Sequence, residues 1–253
     1  MRFASLGSGS QGNALLVAAG GTTVMVDCGF GLKDCSARLE RLGLQPDDLD
    51  AILVTHEHGD HIGGVARFAA RHAIPVWLTH GTARHLEPQD NLTIHHIEGY
   101  ARFAIGDLEI APFPVPHDAS EPAQFVIGDG ARRLGILTDA GSVTAHMVDM
   151  LSGCDGLFLE CNHDEALLRQ SDYPPSLIER VAGDWGHLSN LAAADLLRRI
   201  AGGHLQHVVA AHLSQQNNRP ELARDALCGA LGCAPEWIAV ASQADGLDWR
   251  QLT

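Results

Sequence analysis

The sequence predicts an α/β (α+β) fold, a four-layer αββα sandwich in one domain spanning residues 1–253. Three observations lead there. Strand-like blocks dominate both halves of the chain, and helical stretches follow each block. No low-complexity linker and no long-period repeat divides the 253 residues. Two apolar sheets packed face to face with helices outside satisfy the layer rules, although the same alternation also fits a doubly wound parallel sheet.

The elements follow in order. "RFASLG" (2–7), "ALLVAA" (14–19) and "TTVMVDCG" (22–29) read as three successive strands with Gly-rich turns between them. "SARLERLGL" (36–44) has helical spacing, with Gly43 as its stop. "AILVT" (51–55) is a buried strand, and a helix runs through "VARFAARH" (65–72). "IPVWLT" (74–79) is a strand, followed by a short helix at "TARHLE" (82–87). From 92 to 139 the pattern is strand and turn: "LTIHHIE", "ARFAIGDLEIAPFPV" and "AQFVIGDGARRLGILTD", with "GDG" (128–130) marking a hairpin. A helix at 144–151, the strand "GLFLEC" (156–161) and helices near 165–181 come next. "SNLAAADLLRRIA" (189–201) is a helix with Ser189 as its N-cap. "HVVAAHL" (207–213) is a strand, "RPELARDALCGALG" (219–232) a helix, and "EWIAVASQADGLDW" (236–249) a strand pair.

Composition narrows the function classes. Hydrophobic residues at 45% and charged residues at 19% describe a globular chain rather than a disordered one. A formal charge of −14 discourages general attachment to nucleic acid or anionic membrane, while leaving room for a local basic groove. Candidate phosphate contacts are Arg132, Arg133 and Arg219. The start "MRFASLGSGSQGN" has no apolar core of a signal peptide, and no run of 18 apolar residues exists. The six cysteines form no C-x-x-C pair, so reduced thiols and a cytoplasmic location are expected. No membrane association and no stable protein partner are read from the chain.

The most informative stretch is "ILVTHEHGDHIGG" (52–64). His56 and His58 are two apart and face the same side in extended geometry. Asp60 and His61 follow where a helix begins and can turn toward a second point. Imidazole and carboxylate are ligands for zinc-like ions. Four ligands cannot all serve one ion that keeps open positions for substrate, so the loop suggests two metals.

"THEHGDH" (55–61) resembles the metal-binding signature of the metallo-β-lactamase superfamily, and the resemblance runs over nearly the whole chain. "VMVDCG" (24–29) matches an early strand ending in an aspartate, which implies Asp27 as an orienter beneath the metal loop. "VPHDA" (115–119) matches the next ligand position, His117. "ILTDAG" (136–141) matches the bridging aspartate, Asp139, and "VVAAHLS" (208–214) the last ligand, His212. The resemblance therefore implies His56, His58 and His117 on one ion, Asp60, His61 and His212 on the other, and Asp139 between them. Two divalent cations are implied, zinc first and manganese as the alternative. Diiron relatives usually carry glutamate where His58 stands.

Three further stretches resemble the YycJ/WalJ-type branch, which is similar to ribonuclease Z: "LGSGSQGN" (6–13), "NHD" (162–164) with "GDWGHLSN" (183–190), and "HLSQQNNRP" (212–220). That resemblance implies a phosphodiesterase, with 5′-to-3′ exonuclease action on DNA. A hydroxide between the metals would attack phosphorus, and His187 would protonate the leaving group. The catalytic set is then His187, Asp60 and Asp27. Candidate substrate contacts are Ser10, Asn13, Asn162, His163, Ser189, Asn190, Ser214 and Asn217. The substrate is expected to be a DNA end or a small phosphodiester. No long arm lies between His61 and His117, which argues against transfer RNA processing. The rival reading is a carbonyl hydrolase, a thioesterase or promiscuous β-lactamase, using the same metals.

Overall fold

Consecutive apolar blocks pair with one another before the chain crosses over. In the computed structural model, which describes residues 1–253, β1 (Arg2–Gly7), β2 (Ala14–Ala19) and β3 (Thr22–Val26) form an antiparallel meander. Helix α1 (Leu32–Arg41) leads to β4 (Ala51–Leu53), which lies parallel to β3. Helices α2 (Gly59–Ile62) and α3 (Val65–His72) lead to β5 (Val76–Leu78), and α4 (His80–Ala83) to β6 (Ile94–His96), both parallel additions. The second sheet begins with β7 (Phe103–Ile105), β8 (Leu108–Pro114), β9 (Ala123–Gly128) and β10 (Arg133–Leu137), antiparallel throughout. Helix α5 (Ala145–Leu151) crosses to β11 (Gly156–Glu160). Helices α6 (Glu165–Arg169), α7 (Pro175–Ala182) and α8 (Asn190–Ile200) precede β12 (His207–Ala211). Helix α9 (Pro220–Leu231) reaches β13 (Ile238–Val240), and β10 to β13 run parallel. Strand β14 (Leu247–Gln251) returns to pair with β1.

The strand orders are β14-β1-β2-β3-β4-β5-β6 and β13-β12-β11-β10-β9-β8-β7. Three apolar layers separate the elements, as a sandwich requires. Phe3, Val24, Phe125, Ile136 and Val209 fill the space between the sheets. Leu39, Ile52 and Phe68 seal the first sheet against α1 and α3. Leu151, Leu159, Leu197 and Leu227 seal the second against α5, α8 and α9. The parallel strands are apolar on both faces, which explains the continuous runs "VVAA" and "GLFL". Their carboxyl ends open on one edge of the sandwich, the usual place for a site in parallel sheets.

The observed fold is the expected sandwich, with three local corrections. The terminal strands are not partners: β13 closes one sheet and β14 the other, and only Ser242 and Gly246 bridge between them. Both strands end in the shared core, so their apolar pattern did not distinguish hairpin from crossover. The helix expected at 82–87 lies at His80–Ala83, because the Thr79 hydroxyl accepts from Thr82 N–H and starts it early. Helix α1 likewise begins at Leu32, and its end at Gly43 takes φ +76°. Arg132 and Arg133 stand at the start of β10, away from its carboxyl end, and are engaged locally. Arg132 pairs with Asp155 at 3.1 Å, and Arg133 donates to the carbonyls of Met150 and Ser152. They are not phosphate contacts for a site on the opposite edge. No cysteine is disulfide-bonded, and no helix is long and apolar enough to cross a membrane.

The 242–246 turn gives a stability test. Gly246 has φ +62°, and a Cβ there would stand 1.9 Å from the Ser5 carbonyl oxygen of β1. Gly130, in the β9–β10 hairpin, has φ +86° and open space around it. Gly130→Ala is expected to cost about 1–2 kcal/mol, the left-handed penalty alone. Gly246→Ala adds an overpacking cost of about 1–3 kcal/mol. Denaturant titration of the two variants should rank them in that order.

Candidate metal centre

Each candidate ligand leaves the end of an apolar strand or the turn just beyond it. Two of them, Asp139 and His212, and the orienting Asp27 do so through a backbone that side chains rarely adopt. Asp27, Asp139 and His212 have φ values of 62°, 55° and 53°. Such residues cost about 1–3 kcal/mol each and persist where the surroundings over-determine them. Here Asp27 N–H donates to Leu53 O at 2.7 Å, and His212 N–H to the Ser8 hydroxyl at 2.8 Å. The Glu160 carboxylate accepts from Ala140 N–H at 2.9 Å, fixing the turn after Asp139. The left-handed turn at each strand end brings its side chain back over the sheet edge.

Seven side chains converge as two overlapping sets. His56, His58 and His117 form one, and Asp60, His61 and His212 the other; the ligand atoms within each set lie within 4.8 Å of one another. Asp139 reaches both: Oδ2 is 3.0 Å from His61 Nε2, and Oδ1 is 4.0 Å from His117 Nε2 and 3.5 Å from His212 Nε2. The hydrogen bonds assign the free lone pairs. Thr55 Oγ1 donates to Asp27 Oδ2 at 2.8 Å, so it accepts from His56 Nδ1 at 3.0 Å. His61 Nδ1 donates to Asp27 Oδ2 at 2.7 Å, and His117 Nδ1 to Gly186 O at 2.9 Å. In each case Nε2 is left to face the centre, the arrangement by which outer partners orient metal-bound imidazoles.

The centre has donors to spare and no protein group to satisfy them. His56 Nε2 and Asp139 Oδ2 are buried without a hydrogen-bond partner. His117 Nε2 faces His58 Nδ1 at 3.2 Å, and His61 Nε2 faces His212 Nε2 at 3.4 Å. Lone pairs held at such distances repel one another unless a cation or a proton lies between them. The donor set, imidazole and carboxylate, suits zinc or manganese. These residues therefore fit a pair of divalent ions.

Electrostatics divides the two halves. Burial drives the His56 and His117 rings toward the neutral form, the form a metal ligand needs. Burial also opposes charge on His61 and His212, but Asp139 overcomes it and holds both above the ordinary histidine range. Burial disfavours ionisation of Asp60 as well, yet hydrogen bonds from His212 and His61 hold it far below the usual carboxylate range. The second half therefore favours positive charge on its imidazoles, and a cation there would compete with protons.

His187 lies outside these two sets, and with Glu160, Asp139 and His212 it forms a further group whose ligand atoms lie within 4.8 Å of one another. Its Nδ1 is 2.7 Å from Glu160 Oε1 and 3.3 Å from Asp139 Oδ1. Burial works against its charge, but Glu160, then Asp139 and Asp60, lift it to about 9. Glu160 was missed in the sequence. It is fully buried at the end of β11 and accepts from His187 Nδ1, Ala140 N–H and Leu188 N–H. A lone carboxylate closing the otherwise apolar "GLFLE" was the available signal.

Several expected substrate contacts are spent inside the protein. Asn13 donates to Gly9 O and Asp60 O and lies 3.2 Å from His61 Nε2, so it braces the metal loop. Asn162 donates to His212 O and lies 3.3 Å from its Nδ1. Asn190 and Asn218 exchange side-chain amide bonds at 2.9 Å, both buried. The Ser214 hydroxyl accepts from Asn217 N–H, and Asn217 is 2% exposed. Asn13 and Asn162 thus hold residues of the ligand sets and Asn190 holds Asn218, while Asn217 Oδ1 is buried without a hydrogen-bond partner. Ser10 is exposed in the β1–β2 loop, Ser189 caps α8, and His163 is 2% exposed beside His187.

Asp27 offers the cleanest test of this bracing. Asp27→Asn replaces the acceptor that orients His61 with an amide that can present N–H to it. Metal affinity, measured by chelator competition, is expected to fall about 10–100-fold, as for other outer-shell partners. Unchanged affinity would remove Asp27 from the design.

Comparison with known proteins agrees with this geometry. Residues 22–212 match the family described as "Beta-lactamase superfamily domain". The exodeoxyribonuclease YycJ of Bacillus anthracis is 35% identical over 88% of this chain and 86% of its own. The exodeoxyribonuclease WalJ of Streptococcus pneumoniae is 32% identical over 94% of this chain and 91% of its own. The metallo-β-lactamase fold protein YhfI of Bacillus subtilis superposes with a TM-score of 0.77 at 16% identity, covering 98% of each chain. The chain belongs to the metallo-β-lactamase superfamily, as a metal-dependent hydrolase of the YycJ/WalJ branch.

Proposed function

We propose that this protein is a dinuclear-metal exodeoxyribonuclease that removes nucleotides from DNA in the 5′-to-3′ direction in the cytoplasm. The observation that carries the reading is the Glu160–His187 pair, 2.7 Å apart, at the rim of the two ligand sets. The two relatives named exodeoxyribonuclease, each aligned over most of the chain, support it. Six unpaired thiols agree with a reducing compartment.

Hydrolysis adds water across a P–O bond: hydroxyl goes to phosphorus and a proton to the departing oxygen. Two divalent ions, zinc or manganese, would supply charge neutralisation and an acidified water. His56, His58 and His117 would hold one, and Asp60, His61 and His212 the other, with Asp139 shared. The chain's own task is the proton at the other end. A deoxyribose alkoxide is a strong base, so it leaves poorly without an acid. Glu160 holds His187 by Nδ1, so the other ring nitrogen, Nε2, is the one available to the leaving oxygen. The Glu160 carboxylate at Nδ1 favours the protonated ring, the form an acid needs. A thioester or lactam hydrolase would leave this pair without a task.

Parent and His187→Ala, loaded with zinc or manganese, are compared on DNA, a phosphodiester, a thioester and a cephalosporin. Phosphodiester turnover is expected to fall by ~10²-fold or more in the variant, with metal content constant. Equal activity would retire His187 as the acid, and cleavage of the thioester alone would retire the nuclease reading. On DNA labelled at the 5′ end, label is expected in mononucleotide from the first turnovers. Label released last would reverse the polarity.

A further inference from the structure

A cavity of about 410 Å³ opens beside His187, between α6, α7 and α8. Its walls are aliphatic: Leu168, Ile178, Ala182 and Ala192. His163, His187 and Ser189 face the same space. His163 is nearly fully buried, and its Nδ1 has no hydrogen-bond partner in the chain. Glu165 and Arg169 complete the polar lining and pair with each other at 2.9 Å.

The wall is tied to the metal loops. Arg180 of α7 is bonded to Asp118, the neighbour of His117. Gly186 O accepts from His117 Nδ1, and His187 N–H donates to Val181 O at 2.9 Å. The cavity therefore keeps a fixed position relative to the metal centre, on the side where His187 stands.

Three features identify the occupant. The position is beside the metal centre, on the side that the proposed function gives to the leaving group, because His187 borders the cavity. The volume lies at the low end of cavities that enclose one small organic ligand. The lining offers aliphatic surface and a few hydrogen-bonding groups, and its two basic side chains, Arg169 and His187, are each already paired with a carboxylate, Glu165 and Glu160. A strand threading through would place several phosphates there and would need several cations. One terminal nucleotide brings at most its own 5′-phosphate.

We propose that this cavity holds the terminal nucleotide that departs, with its base against the aliphatic walls and its 3′ oxygen at His187, so that each cleavage releases one nucleotide. The inference rests on the nuclease reading and deepens it. It accounts for exonucleolytic action by the size and lining of one chamber. His163, whose Nδ1 is buried and unpartnered, is the group placed to hydrogen-bond the sugar or base edge, and it does not contribute to the metal sets.

The test uses the metal-loaded full chain. Inhibition of DNA hydrolysis is measured with deoxyadenosine 5′-monophosphate, deoxyribose 5-phosphate and inorganic phosphate, and binding of the same three is measured directly. The nucleotide is expected to bind at least tenfold more tightly than the base-free sugar phosphate. Inorganic phosphate reports attachment at the metals alone. Ala182→Phe, which fills the cavity, is expected to erase the nucleotide's advantage and to raise the KM for DNA at least tenfold. Melting temperature and metal content serve as controls. If that variant misfolds, Ile178→Trp on the half-buried outer wall carries the same expectation. A base that adds nothing in the parent, or filled variants that keep both the advantage and the KM, would overturn the proposal. A parent that leaves DNA intact but prefers the nucleotide would instead overturn the nuclease reading and keep the cavity.

Discussion

The rest of this structure depends on one constraint: Asp139 and five imidazoles share a desolvated space that their own hydrogen bonds cannot satisfy. Asp139 is 2% exposed, and Oδ2 lies 3.0 Å from His61 Nε2 without forming a hydrogen bond to it. His56 Nε2 is buried and unpartnered. Buried polar groups left this way are costly. A protein core does not keep them unless something else balances them, and the balance here is positive charge. The site favours positive charge on His61 and His212, and divalent cations would compete with those protons.

The sandwich holds this arrangement by its edge. Strand ends of both sheets lie side by side, so ligands follow β4, β8, β10 and β12 without long loops, and β3 brings Asp27 beneath them. Left-handed residues at Asp27, Asp139 and His212 store strain where it re-aims side chains. Around them lies a layer of buried amides and hydroxyls: Asn13, Thr55, Asn162 and Ser8 bond the ligands or the backbone that carries them. That layer explains why so many polar residues cluster in Gly- and Asn-rich stretches of the chain. They orient the centre and exclude water from its back, which leaves Asp60, His58 and His187 as its partly exposed members.

Much of this was legible in the sequence. His56 stood out through the H-x-H-x-D-H loop itself, whereas Asp139 and His212, each closing an apolar strand, were picked out by the resemblance to the metallo-β-lactamase superfamily. The layer pattern was legible because strands buried on both faces read as unbroken apolar runs. Glu160 was not legible, because one carboxylate after "GLFL" reads as a strand end turning to solvent, whereas it is fully buried against His187. Asn13, Asn162 and Asn190 were read as substrate contacts, and their side chains are engaged within the protein. Composition shows that an amide is near the site but not whether its donors point outward or into the scaffold. The separate fates of β13 and β14 depend on which sheet edge is free, a property of the assembled fold and not of either segment.

The central claim is that this cluster exists to hold two cations. Crystals of the metal-loaded protein, measured for anomalous scattering at the edge of the bound element, test it directly. The account predicts two peaks per chain: one among His56, His58 and His117, the other among Asp60, His61 and His212, with Asp139 between them. A single peak, or none at this edge of the sandwich in protein saturated with metal, would contradict it.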